Sequence, residues 1–422
     1  MSDRDENEQQ DESLTNPDVV TKYKSAAEIT NNALAAVIAA CKPGAKVVDV
    51  CDVGDNFINE ACSKVFKGKD IEKGVAVPTC VSLNNVCGHF SPAADNATEI
   101  KEGDLVKIDI GCQIDGYITQ AGHSLVVQAD AAAPVTGRAA DVIACAQTCF
   151  DAAARLIRPG KKISEVPPVL AKIAEAYGCK EQAVFGAMLP DPLAEHLGKG
   201  GRSGVKDMGP AVKTEVAGGD LVEGVYSHEM KRYVIDASKA VLNRPTPDQK
   251  VEDAEFEEGE VYAIDILVSS GEGKPKVHDE KETTVYKRAL EVQYQLKLKA
   301  SREVLSEISK KFPTALFTTR ALKSDKAKFG LVECLNHGLL NAYPVTYEKP
   351  EALVAQVKGT VLLMPNGSDK VAPNTQLQKL ETDKAVEDEE VKALLATSLK
   401  TKKKKKNKKD KEGAAETPAE SS

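Results

Sequence analysis

The spacing of apolar residues predicts two helices at the start of the folded region. Apolar side chains recur with a helical period between residues 16 and 42, and again between residues 49 and 66. Asn16 is a good capping residue, Pro17 fits the first helical position, and Pro43-Gly44 ends the first helix. We expect the fold to begin near residue 16, after a disordered acidic N-terminus over residues 1–15.

From Gly103 the apolar pattern becomes that of β-strands. Residues 105–113 and 117–127 read as strands, and they flank Asp115-Gly116, a pair that favours the positive backbone angles of a tight turn. These features predict a β-hairpin.

Part of this pattern occurs twice along the chain. Lys42-Pro43-Gly44 recurs 116 residues later as Arg158-Pro159-Gly160, and the strand around Asp109 recurs 156 residues later around Asp265. The repeat predicts an α+β fold with pseudo-twofold halves whose aspartates face a shared centre, although so short a repeat can also arise by chance. The second half is longer, and its Gly- and Pro-rich stretch 181–220 is predicted to be a flexible loop insertion.

The last part of the folded region combines a basic insertion with a final strand. Residues 290–311 predict a basic helix, a mixed region extends to about residue 350, and residues 353–364 return to a strand pattern. We expect one domain over 16–382, with a helical basic insertion over 288–350. Residues 383–422 are expected to be a disordered lysine-rich tail, because they carry too little apolar surface to fold alone.

The composition favours a globular protein of a reducing compartment. Hydrophobic residues make up 42% of the 422 residues, and no run approaches the ~18 consecutive apolar residues of a membrane span. The acidic N-terminus lacks the basic and apolar regions of a secretory signal peptide. The ten cysteines are irregularly spaced and include no CxxC pair, which indicates reduced core thiols, and Cys145 and Cys149 are expected in the core of one helix.

The charge is distributed unevenly between the body and the tail. Residues 400–411 contain nine lysines and one aspartate, a local charge of +8, so the net charge of −8 leaves −16 on the rest of the chain. An acidic body with a basic tail predicts that polyanions are contacted by the tail or by local patches.

Three motifs in the same order resemble those of type 2 methionine aminopeptidases: Ser82–Pro92, Lys107–Gly111 and Val261–Asp265. The resemblance covers roughly residues 16–365, including the late helical insertion that marks type 2. It implies the pita-bread fold of the creatinase and aminopeptidase proteins.

In that family two Asp, one His and two Glu hold two divalent metals, and their four carboxylates balance the charge of the ions. Matched by motif, these positions fall on Asp109, Gln120, His228, Asp265 and Lys358. The carboxylate of the second Asp becomes a neutral amide, and that of the final Glu becomes an ammonium. The family's substrate-contacting histidine falls on His89, for which the simpler interpretation is a hydrogen bond in a vestigial pocket.

The substitutions change the charge of the site from −4 to −1, which cannot neutralise two dications. We therefore expect no metal, no cofactor and no catalytic residue. A single weakly held ion on Asp109, His228 and Asp265 remains an alternative only if Lys358 turns away. Because a buried lysine needs a partner, we hypothesise that Lys358 pairs with Asp109 or Asp265.

The same losses, together with Leu362–Gly367 after the last strand and the lysine-rich C-terminus, resemble the proliferation-associated 2G4 or ErbB-3-binding proteins, which keep the fold without peptidase activity. The resemblance implies an aminopeptidase-like pseudoenzyme that binds ribosomal RNA and the large ribosomal subunit. It further implies roles in ribosome biogenesis, rRNA processing, translation control and growth regulation, in cytoplasm, nucleus and nucleolus.

The residues support part of this independently, since clustered lysines neutralise phosphates without reading sequence. A solubilising tail or an import signal would look similar, and the absence of Trp argues against stacking on single-stranded bases. The candidate RNA- or ribosome-binding residues are Lys297, Lys299, Arg302, Lys310, Lys311, Lys400, Lys402, Lys403, Lys404, Lys405, Lys406, Lys408, Lys409 and Lys411.

Two alternative functions remain open at this point. One is an active metallo-methionine aminopeptidase. The other is a transcriptional or signalling adaptor that acts through protein contacts, to which the LxxLL-like segment Val391–Leu395 lends only weak support.

Overall fold

The computed structural model describes residues 12–130, 132–178, 184–185, 226–243, 251–323 and 327–400. Its helices are α1 (Pro17–Ala40), α2 (Val47–Lys64), α3 (Gly137–Leu156), α4 (Val166–Ala176), α5 (Lys299–Lys311), α6 (Ala327–Asn336) and α7 (Glu389–Leu395). Its strands are β1 (Lys73–Leu83), β2 (Val86–Gly88), β3 (Leu105–Ile114), β4 (Tyr117–Val126), β5 (Val135–Thr136), β6 (Val184–Phe185), β7 (Tyr226–Met230), β8 (Ala240–Leu242), β9 (Val261–Ser269), β10 (Lys276–Val277), β11 (Val285–Arg288), β12 (Leu316–Thr318), β13 (Leu340–Tyr343), β14 (Thr346–Tyr347), β15 (Val354–Met364), β16 (Gly367–Ala372) and β17 (Leu380–Glu381).

The two predicted N-terminal helices are confirmed, with small shifts at their ends. The Asn16 side chain accepts a hydrogen bond of 3.0 Å from the backbone N–H of Asp18, and Pro17 occupies the first helical position. The second helix begins at Val47 rather than at Asp49, because Val47 and Val48 are both buried in its first turn. Burial of this turn extends the helix beyond its apolar periodicity.

A nine-stranded sheet forms the centre of the fold, in the order β1-β3-β4-β15-β9-β7-β8, with β16 beside β15 and β6 beside β9. The predicted hairpin is present as β3 and β4, and its turn residues Asp115 and Gly116 have φ angles of 56° and 77°. Lys22 of α1 and Arg232 both bind the Asp115 carboxylate, at 2.6 and 2.8 Å. These ion pairs hold the hairpin tip against the first helix.

Each half of the sheet buries its own apolar core against its own helices. Helices α1 and α2 pack on the half that contains β1, β3 and β4, and α3 packs on β9 and β15 with α4 beside it. Cys145 and Cys149 lie buried in the second core, as expected. Because the two cores are separate, each half of the sheet is stabilised on this face by its own helices.

The internal repeat is confirmed by matching backbone hydrogen bonds in the two halves. The N–H of Gly44 donates to the carbonyl of Ile100 at 2.8 Å, and the N–H of Gly160 donates to the carbonyl of Phe256 at 3.0 Å. The two glycines have φ angles of 82° and 81°, which favour glycine at both turns. The two donor glycines are 116 residues apart and the two acceptors are 156 residues apart, which are the two offsets of the sequence repeat. The repeated sequence motifs therefore form a repeated structure.

The insertion after β11 is mixed rather than mainly helical, and its predicted first helix is too long. Residues 290–298 are not helical, and α5 starts at Lys299. The backbone N–H groups of Lys297 and Leu298 donate to the carboxylate of Glu333 on α6, which holds this segment extended. Strands β12, β11 and β13 form a small sheet beside α5 and α6.

The expected tail boundary at residue 383 is wrong. Helix α7 packs on the second core through Val391, which is 2% exposed, and the Asp388 side chain caps its first turn. Arg155 Nε donates to the carbonyl of Thr397 at 3.0 Å, and Lys172 pairs with Asp388 at 2.9 Å. The segment folds because its apolar side chains pack on the apolar surface of α3 and α4. This packing within the chain explains the LxxLL-like pattern.

The other predicted flexible segments fall mostly outside the described residues. At the N-terminus residues 12–15 are part of the fold, and Leu14 is buried. Within the predicted loop 181–220, only β6 is described, and it pairs with β9. Lys402–Lys411 lie outside the described residues. None of the described helices combines the length and apolar character that a bilayer span requires.

His123 gives the fold a specific sensitivity to acid. The side chain is buried, and burial lowers its pKa to about 4. The unfolded chain therefore binds a proton between pH 6.5 and 4 that the folded chain does not, and stability falls as pH falls through this window. The His123→Leu variant should lose less stability between pH 6.5 and 4 than the native protein, by roughly 2–3 kcal/mol. Urea unfolding at several pH values measures this, and identical pH profiles for both proteins would contradict it.

Candidate functional site

The candidate site lies where four strands run side by side at the centre of the sheet. Strand pairing sets Asp109 on β3 opposite Gly122 on β4, Gly122 opposite Lys358 on β15, and Lys358 opposite Asp265 on β9. A Cβ atom at Gly122 would lie 2.6 Å from the Cβ of Lys358, so this row requires a glycine between the charged residues. The strand register thus brings three charged side chains into one line.

Lys358 binds both carboxylates of this row. Its Nζ lies 2.9 Å from Oδ2 of Asp109 and 3.1 Å from Oδ2 of Asp265, and all three side chains are buried. Gln356 Nε2 donates to the second oxygen of Asp265 at 2.9 Å. The pairing predicted for Lys358 is confirmed, and it involves both carboxylates rather than one.

The electrostatics of the row follow from burial and from this close pairing. Burial alone would lower the pKa of Lys358, but Asp109 and Asp265 outweigh it and raise the pKa. Burial, opposed by Lys358, raises the pKa of Asp265 to about 6. Lys358 therefore remains an ammonium throughout the physiological pH range.

Gln120 and His228 lie beside the row, so all five positions predicted from sequence come together. Gln120 Nε2 lies 3.1 Å from the Met230 sulfur, and its backbone N–H donates to the hydroxyl of Thr360 at 2.8 Å. Burial, followed by the charge of Lys358, lowers the pKa of His228 to about 4. The imidazole is therefore neutral at physiological pH.

His89 lines the space above the row, and this space is almost filled. About 20 Å³ remains, bounded by polar residues of the row and by apolar side chains such as Leu316 and Ile235. This is room for about one water molecule, and a methionine side chain needs several times more. His89 has a φ of 60°, its Nδ1 lies 3.2 Å from the carbonyl oxygen of Pro344, and Tyr343 packs edge-on against its ring.

Several residues that close this space have no recognisable signal in the sequence. Tyr343 and Leu316 belong to β13 and β12 of the insertion, and Ile235 follows β7. They are apolar or aromatic residues like many others in the core, and only the fold brings them to the site. Gln356 could have been found, because it lies two residues before Lys358 on the same face of β15.

The chain is similar over nearly its whole length to proteins of one family. The profile of Metallopeptidase family M24 matches residues 21–287. The chain is 49% identical to "ERBB-3 BINDING PROTEIN 1" of Arabidopsis thaliana, over 96% of this chain and 92% of that protein. It belongs to the ErbB-3-binding, or proliferation-associated, branch of family M24.

Two further similarities extend this assignment. The chain is 39% identical to "Curved DNA-binding protein" of Schizosaccharomyces pombe, over 93% of both chains. The solved structure of a thermophilic Arx1 matches it with a TM-score of 0.76 and 29% identity, over 91% of this chain and 99% of that one. The predicted pita-bread fold is confirmed for this ErbB-3-binding family member.

The residues at the centre of this M24 fold do not fit the two metals that the fold family implies. The Lys358 ammonium lies between Asp109 and Asp265, within 3.1 Å of an oxygen of each, where it would repel a dication. The side chain of Gln120 adds no charge. Within the described ranges, no group of three or more His, Cys, Asp or Glu side chains is arranged to hold a metal ion.

The basic residues predicted in the insertion lie on the surface of this family member. Lys297, Lys299, Arg302, Lys310 and Lys311 are all exposed. They lie near the two ends of α5. The helical rise of 1.5 Å per residue places these two ends roughly 18 Å from each other. Two are partly neutralised, because Lys299 pairs with Glu303 and Lys311 pairs with Glu307. Exposed pairs of this kind are worth less than about 1 kcal/mol, so a phosphate can displace them.

Replacing Lys358 tests the ion triad that it forms with Asp109 and Asp265. The Lys358→Met variant leaves two buried carboxylates without a counter-charge and should lose about 3–5 kcal/mol of stability. Adding Asp109→Asn and Asp265→Asn to it should recover most of that loss, because the buried charges are then removed together. Urea unfolding at pH 7.5 measures both, with the exposed Lys101→Met as the matched control. A Lys358→Met variant as stable as Lys101→Met would refute the triad's role.

Proposed function

We propose that this M24 family member is a non-catalytic protein that binds ribosomal RNA and the large ribosomal subunit. In this proposal it acts in ribosome biogenesis, rRNA processing, translation control and growth regulation, in the cytoplasm, nucleus and nucleolus. The observation that carries the non-catalytic part is the Lys358 ammonium between Asp109 and Asp265. A hydrolytic site of this fold would need carboxylates and metal ions at that place.

The small volume of the space above the row supports the same conclusion. A peptide end would have to enter a space of about 20 Å³ that is bounded by buried side chains. Neutral His228 and His89, whose pKa values are lowered mainly by burial, lie beside this space.

Nucleic-acid binding is supported by the surface rather than by the centre. The exposed cations around α5 and the lysines that follow residue 400 can neutralise the phosphates of a nucleic acid. The rest of this protein carries a strongly negative charge. The name of the Schizosaccharomyces pombe relative, "Curved DNA-binding protein", describes a protein that binds a nucleic acid. Backbone contact with a structured RNA fits a protein that lacks tryptophan.

A protein-binding adaptor is the second candidate, and a separate observation favours it. On α6, Phe329 is 75% exposed and Val332 is 55% exposed, and they lie three residues apart on one helical face. Exposed apolar patches mark contact surfaces. The name of the Arabidopsis thaliana relative also describes binding to a protein.

The purified protein should neither retain metal nor release N-terminal methionine. After incubation with manganese or cobalt and removal of free ions, we expect less than one metal per chain, because the site carries a charge of −1 and contains an ammonium. Metal analysis and a short Met-peptide assay measure this, with an active type 2 methionine aminopeptidase as the control. Two retained metals together with peptide turnover would establish the enzyme instead.

Neutralising the basic residues of the insertion should weaken ribosome binding. We expect replacement of Lys297, Lys299, Arg302, Lys310 and Lys311 by glutamine to reduce co-sedimentation with ribosomes. The slope of the logarithm of the RNA-binding constant against the logarithm of the salt concentration should also become shallower, by about 0.7–0.9 for each phosphate that is no longer neutralised. The measurements are ribosome co-sedimentation and RNA titration at several salt concentrations.

A matched control separates a local effect from a general change in net charge. Its five exposed lysines lie in the first half of the chain: Lys42, Lys46, Lys67, Lys69 and Lys101. Their replacement by glutamine should leave binding close to native. Equally weakened binding in both variants would indicate only a general charge effect, and native binding in both would favour the adaptor.

Removing residues 401–422 should weaken RNA binding further without affecting the fold. This boundary keeps α7, whose Val391 is buried in the second core. A truncation at residue 383 would also expose that core, so a loss of stability could not be separated from a loss of RNA contacts. An unchanged thermal midpoint with weaker, less salt-dependent binding is expected, and unchanged binding would show that the lysine run does not contact RNA.

A further inference from the structure

Two buried thiols are in contact where α2 packs against the sheet. Sγ of Cys62 on α2 lies 3.5 Å from Sγ of Cys112 on β3, and the two residues are 2% and 0% exposed. The ion triad and the closed pocket use neither thiol. We propose that Cys62 and Cys112 form an oxidisable dithiol, which a peroxide-class oxidant converts into an intramolecular disulfide.

The surroundings make the two thiols chemically different. The hydrogen bond from Cys112, with a smaller contribution from the ammonium of Lys73, lowers the pKa of Cys62 although burial opposes this. Burial raises the pKa of Cys112 well above its usual value. Cys62 is therefore the better thiolate, and Cys112 is the partner that would resolve an oxidised Cys62.

The position of Cys62 gives an oxidant a route to it. Cys62 lies in the last turn of α2, which ends at Lys64, and residues 67–70 beyond it are exposed. Phe66 in this segment has a φ of 47°, a conformation that is costly for a bulky residue. Under the proposal, opening of this last turn would expose Cys62, whereas Cys112 would stay in its strand β3.

The geometry then requires only a small movement. A disulfide has sulfur atoms about 2.05 Å apart, so the two Sγ atoms must approach by roughly 1.5 Å, which side-chain rotation and a slight shift of the helix end can supply. The bond would fasten α2 to the strand that carries Asp109. It would also close the long loop between residues 62 and 112, which restricts the unfolded chain.

The chemistry balances with hydrogen peroxide as the named oxidant. The Cys62 thiolate attacks one peroxide oxygen, the O–O bond breaks, and the leaving hydroxide takes up a proton to become water. The resulting sulfenic acid is attacked by the Cys112 sulfur, the S–O bond breaks, and a second water leaves. Two thiols lose two electrons and two protons in total, and the peroxide is reduced to two waters.

The test treats the full chain with hydrogen peroxide, blocks the remaining thiols under denaturing conditions, and maps non-reduced peptides by mass spectrometry after cleavage with trypsin and with a protease that cuts before aspartate. The second protease separates Cys62 from Cys51, which lies in the same tryptic peptide. We expect the titratable thiols to fall by two from the ten present. A linked pair should join the peptide containing Cys62 to the one containing Cys112, and a thiol reductant should reverse it. The oxidised protein should also have a higher thermal midpoint.

Variants make the assignment specific. Cys62→Ala and Cys112→Ala should each abolish the linked peptide, whereas Cys149→Ala, another buried cysteine, should leave it unchanged. The peptide map of the native chain needs no variant, so the test stands even if one of them folds poorly. Ten free thiols after treatment, a link between other cysteines, or stepwise over-oxidation of Cys62 without a link would each overturn the proposal.

Discussion

The contact of one ammonium with two carboxylates determines the character of the centre of this protein. Asp109 and Asp265 occupy equivalent places in two related halves, and they would repel each other across a buried gap if nothing lay between them. Lys358, on a strand between them, supplies the positive charge that prevents this repulsion. Its Nζ lies 2.9 Å from Asp109 and 3.1 Å from Asp265. Because an ammonium is part of the chain, the centre is stable without any ion from solution.

Filling of the pocket follows from the same arrangement. With the Lys358 ammonium between the two carboxylates, the walls of the centre lie close together, and only about 20 Å³ remains above the row. Side chains from the insertion, Leu316 and Tyr343, complete those walls. Each half also keeps its own apolar core against its own helices, so the fold does not depend on which residues occupy the centre.

The insertion that carries the exposed basic and apolar side chains is attached to the first half of the fold. Arg320 fixes the insertion to the first half, pairing with Asp52 at 3.0 Å and donating to the carbonyl of Pro92 at 2.6 Å. These contacts hold the insertion, with its exposed cations and apolar side chains, against the first half. At the other end, α7 anchors the chain just before the lysine run, so the tail leaves the body from a defined point.

The sequence by itself determined the two N-terminal helices, the hairpin and the twofold repeat, since these depend on local periodicity and turn chemistry. Its resemblance to a known family implied the fold and the five site positions. The sequence also indicated that Lys358 needs a carboxylate partner, because charge and burial allow little else. Only the tertiary structure decided that this lysine binds both aspartates, that Tyr343 and Leu316 close the pocket, that Cys62 meets Cys112, and that residues 388–400 belong to the fold. Each of these depends on contacts between segments far apart in the chain, and such contacts are set by strand register and by shared cores, which no local pattern records.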